Sequence, residues 1–388
     1  MSLILVINCG SSSLKYSLLD PQTGESHSHG LAERLGTPEA DLIIQDGQEI
    51  ALPGASHAKA LDEILHRLGD VQIIGVGHRV VHGGESFSQS AVIDDAVEAE
   101  IKACAELAPL HNPANLVGIR AARERFPDVV HVAVFDTAFH QTIPAPAYLY
   151  AIPYALYENF KVRRYGFHGT SHRYVAEQAA LELKRPLEDL SLITAHLGNG
   201  CSACAIKGGR SMDTTMGLTP LEGLVMGTRS GDVDPNLHEF LAHHTGKNLA
   251  EVTALLNRES GLLGISGISN DMRSLNEEAQ HGNKQADLAI EVFSYRLGKY
   301  LLGLCATLDR VDALIFTGGI GEHSPDVRRR TLGYLRILGA ELDSELNAHN
   351  GSSAGGRITA ASSRLLSLVI PTNEEFVIAR ETDRFAHS

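Results

Sequence analysis

The chain opens on an apolar run, Leu3-Ile4-Leu5-Val6-Ile7. It passes into a polar turn, Asn8-Cys9-Gly10-Ser11-Ser12-Ser13, and then into Leu14-Lys15-Tyr16-Ser17-Leu18-Leu19. A short apolar run bounded by turn residues predicts a buried strand, so the segment reads as a strand–turn–strand hairpin. Its tip offers backbone N–H groups, hydroxyls and the Lys15 ammonium, the groups that hold a phosphate chain. The pattern recurs near mid-chain. There Leu192-Ile193-Thr194-Ala195 leads into His196-Leu197-Gly198-Asn199-Gly200, and then into Cys201-Ser202-Ala203-Cys204-Ala205-Ile206. Two such units predict a duplicated α/β nucleotide-binding core.

The remaining pattern alternates strands and helices. Residues 71–76 and 129–135 read as strands, and residues 94–126 carry a helical pattern broken at Pro109 and Pro113. A long helix is expected from Lys284 to Asp309, with Ile290, Phe293, Leu297, Leu301, Leu304 and Leu308 spaced by three and four. It feeds a strand over 313–316, the turn Thr317-Gly318-Gly319-Ile320-Gly321-Glu322, and a helix from Ser324 with Pro325 at its first position. A last strand over 365–370 precedes a terminal helix expected to pack back on the first domain. Pro144, Pro146 and Pro153 mark the crossing between domains. Residues 1–146 with 375–388 form one expected domain, and 147–374 the other.

A length of 388 residues suits two domains rather than one core. The net charge of −14 argues against nucleic acid as a partner, because neutralising phosphates needs clustered Lys and Arg. No basic leader precedes the five-residue apolar start, and no run is long enough to span a bilayer. Five cysteines, few and odd in number, suit a reduced cytoplasmic protein. Cys201-Ser202-Ala203-Cys204 has C-x-x-C spacing, but without a second pair it reads as a strand of small packed residues.

Three Gly-rich turns at strand ends place phosphate-binding backbone on both walls of one expected cleft. They are neither a Walker A loop nor a Rossmann fingerprint. Gly319-Ile320-Gly321 follows a strand and precedes a helix, a suitable seat for an adenosine phosphate or sugar. Arg229 lies in Met226-Gly227-Thr228-Arg229-Ser230-Gly231-Asp232, too Gly-rich and polar for a core, and Arg79 follows the strand at 71–76 beside Gly83 and Gly84. His168 and His172 stand four apart in Phe167-His168-Gly169-Thr170-Ser171-His172, without the Glu of a zinc H-E-x-x-H motif; His172 reads as a helix or core histidine.

These segments resemble the acetokinase family: Asn8 to Lys15, Gly77 to Gly84, Phe135 to His140, Gly166 to His172, and Met212 to Pro235. The resemblance runs in order over essentially the whole chain. It implies a duplicated two-domain actin-like (ribonuclease H-like) ATPase fold with a central nucleotide cleft. It also implies transfer of the ATP γ-phosphoryl to acetate, with propionate or another short acid as the near alternative. A nucleotide-switched ATPase without kinase activity, or a phosphohydrolase, is the more distant reading; the paired arginines argue against the first.

By the same resemblance Arg79 holds the acyl carboxylate, Arg229 the phosphoryl group, and His168 donates to that group. A short carboxylate is ionised at neutral pH, so no general base is needed, and Asp136 is expected to orient an arginine or the metal's water shell. Val81 is expected to wall the methyl site. ATP contacts fall to Ser11, Ser13, Lys15, His196, Leu197, Gly198, Asn199, Gly200, Asp271, Met272, Arg273, Gly319, Ile320, Gly321, Glu322 and His323. The family commonly has Asn where this chain has His323. Asn8 and Glu374 are the expected ligands of Mg2+, with Mn2+ as a substitute. Thr372 and Glu375 have capping-box spacing, which leaves Glu374 for metal. The resemblance also implies a homodimer.

Overall fold

Two sheets carry the fold of this computed structural model, which describes residues 2–45, 47–68, 71–109 and 111–387. The chain divides into two compact units, Met1–Gln141 with Asn373–Ser388, and Thr142–Thr372. The first unit holds β1 (Leu3–Cys9), β2 (Leu14–Leu19), β3 (Ser26–Glu33), β4 (Asp41–Ile44), β5 (Glu49–Ala51), β6 (Ile73–Val80), β7 (Ala91–Val92) and β8 (Val130–Phe135). The second holds β9 (Ser191–Leu197), β10 (Cys201–Lys207), β11 (Arg210–Thr214), β12 (Ala313–Thr317) and β13 (Ser367–Val369).

The sheets share a five-strand core. In the first the order is β5-β4-β3-β2-β1-β6-β8-β7, and in the second β11-β10-β9-β12-β13. An antiparallel trio, β3-β2-β1 or β11-β10-β9, is extended by two parallel strands, β6 and β8 or β12 and β13. The duplication suggested by the two hairpins is therefore present in five strands of each sheet, with β4, β5 and β7 added to the first. Both lead strands, β1 and β9, are buried almost throughout, which explains the continuous apolar run of β1 and the largely apolar sequence of β9.

In the first unit the terminal helix Glu374–Ala386 packs on β6, β8 and β1. Glycines on β6 permit this approach. A Cβ at Gly77 would stand 2.5 Å from both Ile378 Cγ2 and Thr382 Oγ1. The core formed by Leu5, Ile7, Leu14 and Tyr16 also takes in Leu61 and Ile64 of the helix His57–Leu68.

Several boundaries depart from the sequence expectation. β6 extends to Val80, so Arg79 lies within the strand rather than after it. The long helix ends at Leu304, not Asp309, because the Thr307 hydroxyl takes the Leu304 carbonyl at 2.9 Å and a single 3₁₀ turn follows. Gly318–His323, expected as a turn, is a short helix whose first N–H is held by its own Glu322 carboxylate at 2.8 Å. The last strand is only Ser367–Val369. The Thr372–Glu375 capping box is absent. Asn373 caps the terminal helix by accepting from Phe376 N–H at 3.0 Å, a role for which Asn is among the strongest residues. Glu375 instead pairs with Lys15 at 2.6 Å and accepts from the Ser17 hydroxyl at 2.6 Å. Among the described residues no helix is long and apolar enough to cross a membrane.

Candidate active site

In the first unit, parallel pairing sets two candidate site residues beside each other. Arg79 of β6 lies opposite Val134 of β8, and Asp136 follows that strand with its backbone N–H on Val80 O at 3.0 Å. The Arg79 guanidinium therefore meets the Asp136 carboxylate with both ends: Nε to Oδ1 at 3.1 Å, Nη2 to Oδ2 at 2.7 Å. The Asp136 side chain is almost wholly buried, while a quarter of Arg79 stays open. Asp136, with a further contribution from Glu374, pushes the Arg79 guanidinium up. Burial pushes the Asp136 carboxyl up, and the bound guanidinium pulls it back. Val81, two residues on, is buried, with its N–H on Asn115 Oδ1 at 3.1 Å.

Glu374 begins the terminal helix of the same unit. Its Oε1 is buried without a hydrogen-bond partner. A buried hard oxygen left unsatisfied is costly unless something arrives to use it, and a divalent cation fits that need. Asn8 closes toward the end of β1, whose preceding residue Ile7 pairs with His78 of β6. Two such oxygen donors suit an ion that keeps most of its waters. At the hairpin tip Gly10 N–H bonds Ser13 O at 2.9 Å, with Ser11 exposed and Ser13 half-buried. The Lys15 ammonium points to Glu375 of the terminal helix rather than standing free at that tip.

The second unit gathers the remaining residues. His168 caps the helix Gly169–Leu183 in the left-handed region, φ 56°, and its ring stacks on His196 with centroids 4.3 Å apart. A Cβ built at Gly200 would lie 3.4 Å from His168 Nε2 and 3.3 Å from Arg229 Nη2. The missing side chain of Gly200 thus leaves room where an imidazole and a guanidinium converge. Arg229 Nη1 donates to Pro220 O at 2.7 Å, and burial pulls its guanidinium down. The loop carrying Pro220 is braced by Glu222, which accepts from Arg164 Nη2 at 2.6 Å and from the Tyr150 hydroxyl.

A cavity of about 530 Å³ opens beside these groups in the same unit. Gly198, Asn199, Asp271, Met272, Arg273, Gly319, Ile320 and His323 line it. His196, Leu197, Gly200, Gly321 and Glu322 do not. Glu322 faces inward, where it accepts from Gly318 N–H and, at 3.1 Å, from Thr372 N–H. Asp271 caps its helix and grips Arg273, with Nη2 to Oδ2 at 2.9 Å. Three lining residues escaped the sequence reading: Asn270, Asn276 and Ser324. Asn276 stands one helical turn beyond Arg273, so the helical period alone could have pointed to it. Asn270 donates to Asn199 Oδ1 at 3.1 Å, a contact between distant segments that leaves no local signal.

His172 is a core histidine, fully buried between Thr194 and Ser202. Cys201 and Cys204 sit three apart in β10, on opposite faces of the sheet. Burial pushes the Cys201 thiol up to about 12.

Comparison with known proteins decides the family. Residues 3–380 match the acetokinase family. The chain belongs to the acetokinase family. It is 56% identical to the acetate kinase of Deinococcus radiodurans over 385 residues, covering 97% of this chain and 96% of that protein. It is 54% identical to the acetate kinase of Ectopseudomonas mendocina, covering 98% of each. Among solved structures it resembles a propionate kinase from Francisella tularensis, with TM-score 0.94 and 45% identity, covering 99% of this chain and 100% of that one. It also resembles Porphyromonas gingivalis acetate kinase, with TM-score 0.92 and 42% identity over 99% of each chain. With the repeated strand order, these likenesses give the acetokinase version of the duplicated actin-like ATPase fold.

Proposed function

We propose that this protein transfers the γ-phosphoryl group of ATP to acetate, giving acetyl phosphate and ADP, and catalyses the reverse. The observation that carries the reading is family membership over nearly the whole chain. The acetate carboxylate is ionised at neutral pH, so the step needs no base. One carboxylate oxygen bonds to the γ-phosphorus as the bond from that phosphorus to the β-bridging oxygen breaks. The barrier lies in bringing two anions together and in the charge spread over the phosphoryl oxygens.

Each named group answers one of those needs. Arg79, held by Asp136, presents its open quarter to the carboxylate. Arg229 and His168 serve the phosphoryl oxygens, and the cavity beside Asn199 and Gly319 takes the nucleoside. Asn8 and Glu374 are the residues that would hold Mg2+ or Mn2+, and such an ion supplies charge neutralisation on the phosphates. Action in the cytoplasm and assembly as a homodimer follow from the family resemblance; sedimentation of the purified protein tests the second.

Propionate is a second reading, favoured by the likeness to the Francisella propionate kinase. Val81 beside Arg79 favours the smaller acid, since one methylene is worth about 1–3 kcal/mol in such a pocket. An acyl-hydroxamate assay with Mg-ATP and acetate, propionate or butyrate tests both. The highest kcat/KM is expected for acetate. A maximum at propionate would reassign the substrate, and no hydroxamate with any acid would end the kinase reading.

A further inference from the structure

A buried carboxamide spans the gap that opens where β1 and β6 part in the first unit. The last residues these two strands pair are Ile7 and His78. β6 runs on beside β8 as far as Val80, whose carbonyl accepts from Asp136 N–H at 3.0 Å. Beyond Val80, two asparagines at the start of the helix Asn112–Arg125 take up the backbone. Asn112 accepts from His82 N–H at 3.2 Å and donates to His82 O at 2.9 Å. Asn115 accepts from Val81 N–H at 3.1 Å and donates to Cys9 O at 2.8 Å.

A backbone N–H only donates and a backbone carbonyl only accepts, so these partners fix which end of the Asn115 amide is oxygen and which is nitrogen. Asn115 is buried, and a Cβ at Gly118, one turn further along the helix, would stand 2.2 Å from Cys9 Sγ. The helix is thus pressed against Cys9, and the amide reaches the Cys9 carbonyl directly. We propose that Asn115 is a positioning residue for the acid: it ties Val81, the residue read as the wall of the methyl site, to the turn at residues 8–13. The inference rests on the phosphotransfer reading and on the place given there to Val81.

The physical link is short. A valine side chain is stiff at its first torsion, so its methyl groups go where its backbone goes. Asn115 holds that backbone through the Val81 N–H and, through the other end of one rigid amide, sets its distance from Cys9. Arg79 is held separately, by its fork with Asp136. Loss of the Asn115 amide therefore frees the wall and leaves the guanidinium in place. Discrimination between acids of different length suffers more than attraction for a carboxylate.

The test is the ratio of kcat/KM for acetate to that for propionate, measured with Mg-ATP in four full-length proteins: wild type, Asn115→Ala, Val81→Ala and the double variant. One methylene is worth about ten- to two-hundredfold in such a pocket, and Asn115→Ala is expected to cut the wild-type ratio about fivefold or more. In the Val81→Ala background the same substitution is expected to leave the ratio within about twofold, because the wall it positions is gone. A fall in rate shared equally by both acids, with the ratio kept, marks a merely structural role and overturns the proposal. An equal shift of the ratio in both backgrounds overturns it too. Asn115→Leu, which keeps the bulk and removes both hydrogen bonds, repeats the comparison if Asn115→Ala does not fold. If neither folds, hydrogen exchange of the wild-type Val81 N–H decides: exchange as slow as that of the β6 amides supports the bridge, and fast exchange overturns it. A wild-type ratio below one would overturn the place given to Val81 and the proposal with it. No acyl phosphate from either acid would end the phosphotransfer reading, whereas slow Val81 exchange would still leave the amide bridge standing.

Discussion

Arg79 and Asp136 are locked in a two-point fork, with Nε on Oδ1 at 3.1 Å and Nη2 on Oδ2 at 2.7 Å. Parallel pairing of β6 and β8 fixes the backbones from which both side chains spring. The fork aims the guanidinium but leaves part of it uncommitted, which suits the proposed role of Arg79 in taking a carboxylate. Arg79→Lys keeps the charge and loses the planar fork, and Asp136→Asn keeps the shape and loses the charge. Both are expected to lower kcat/KM for acetate by about a hundredfold or more, since substrate placement is lost. Asp136→Ala should also cost on the order of 3–5 kcal/mol of stability, because it strands a half-buried guanidinium. Steady-state kinetics with urea unfolding checks both, and full activity in Asp136→Asn would remove Asp136 from the site.

How much of this was legible in the sequence follows from the range of the interactions. Both hairpins could be read, because burial on both faces writes itself as an unbroken apolar run in β1 and a largely apolar one in β9. Arg79 and Asp136 could be named through family motifs, but their fork could not. It joins residues 57 apart along the chain through a strand pairing that no local pattern records. The capping box at Thr372 failed for a related reason. Spacing was satisfied, yet the Thr372 hydroxyl pairs with Ser171 and Glu375 with Lys15, so long-range partners took both side chains. Ser202 looked like one more small residue in a strand, and only the fold places two histidines on its hydroxyl.

Glu374 offers a test in which stability and activity move apart. Its Oε1 is buried and unpaired, and its charge is felt by both Arg79 and Asp136. In the metal-free protein that charge is a burden, so Glu374→Gln should unfold at an equal or higher urea concentration than wild type. Its activity should meanwhile need about tenfold more Mg2+ for half-maximal rate. An unchanged Mg2+ dependence would exclude Glu374 as a ligand.

Acid lability is expected from buried neutral histidines in the first unit. His82 is fully buried, and burial lowers its pKa to about 4; its Nδ1 accepts from Gly84 N–H at 3.0 Å. Burial also lowers His78 and His131, which are hydrogen-bonded to each other, with the Arg123 charge acting in the same direction. A depressed histidine pKa means that the unfolded chain binds the proton first. Stability is therefore complete above the ordinary value near 6.5 and declines as pH falls toward 4. For His82 alone the loss is on the order of 3 kcal/mol. The urea midpoint should fall steadily from pH 7 to pH 4, and His82→Gln should flatten part of that slope. A midpoint independent of pH across this range would contradict the burial argument.

Gly200 separates geometry from stability at the centre of the second unit. An added Cβ would meet Arg229 Nη2 at 3.3 Å and the His168 ring at 3.4 Å, tighter than ordinary contact but without severe overlap. The backbone there is not in the left-handed region, so alanine brings no conformational strain of its own. Both neighbours are ends of side chains and can yield by a few tenths of an ångström. Gly200→Ala should therefore fold with a stability within about 1 kcal/mol of wild type. Such small displacements matter more to the reaction than to folding, because a misplacement of about 1 Å can cost a hundredfold in rate. A fall in kcat of about tenfold or more is expected, with little change in nucleotide affinity, since the cavity proposed to take the nucleoside is lined by Gly198 and Asn199 and not by Gly200. Kinetics alongside nucleotide titration distinguishes the outcomes. Unchanged kcat would mean that Arg229 and His168 do not converge on the reacting group, whereas weakened ATP binding at constant kcat would move Gly200 from the transferring phosphoryl to the nucleotide.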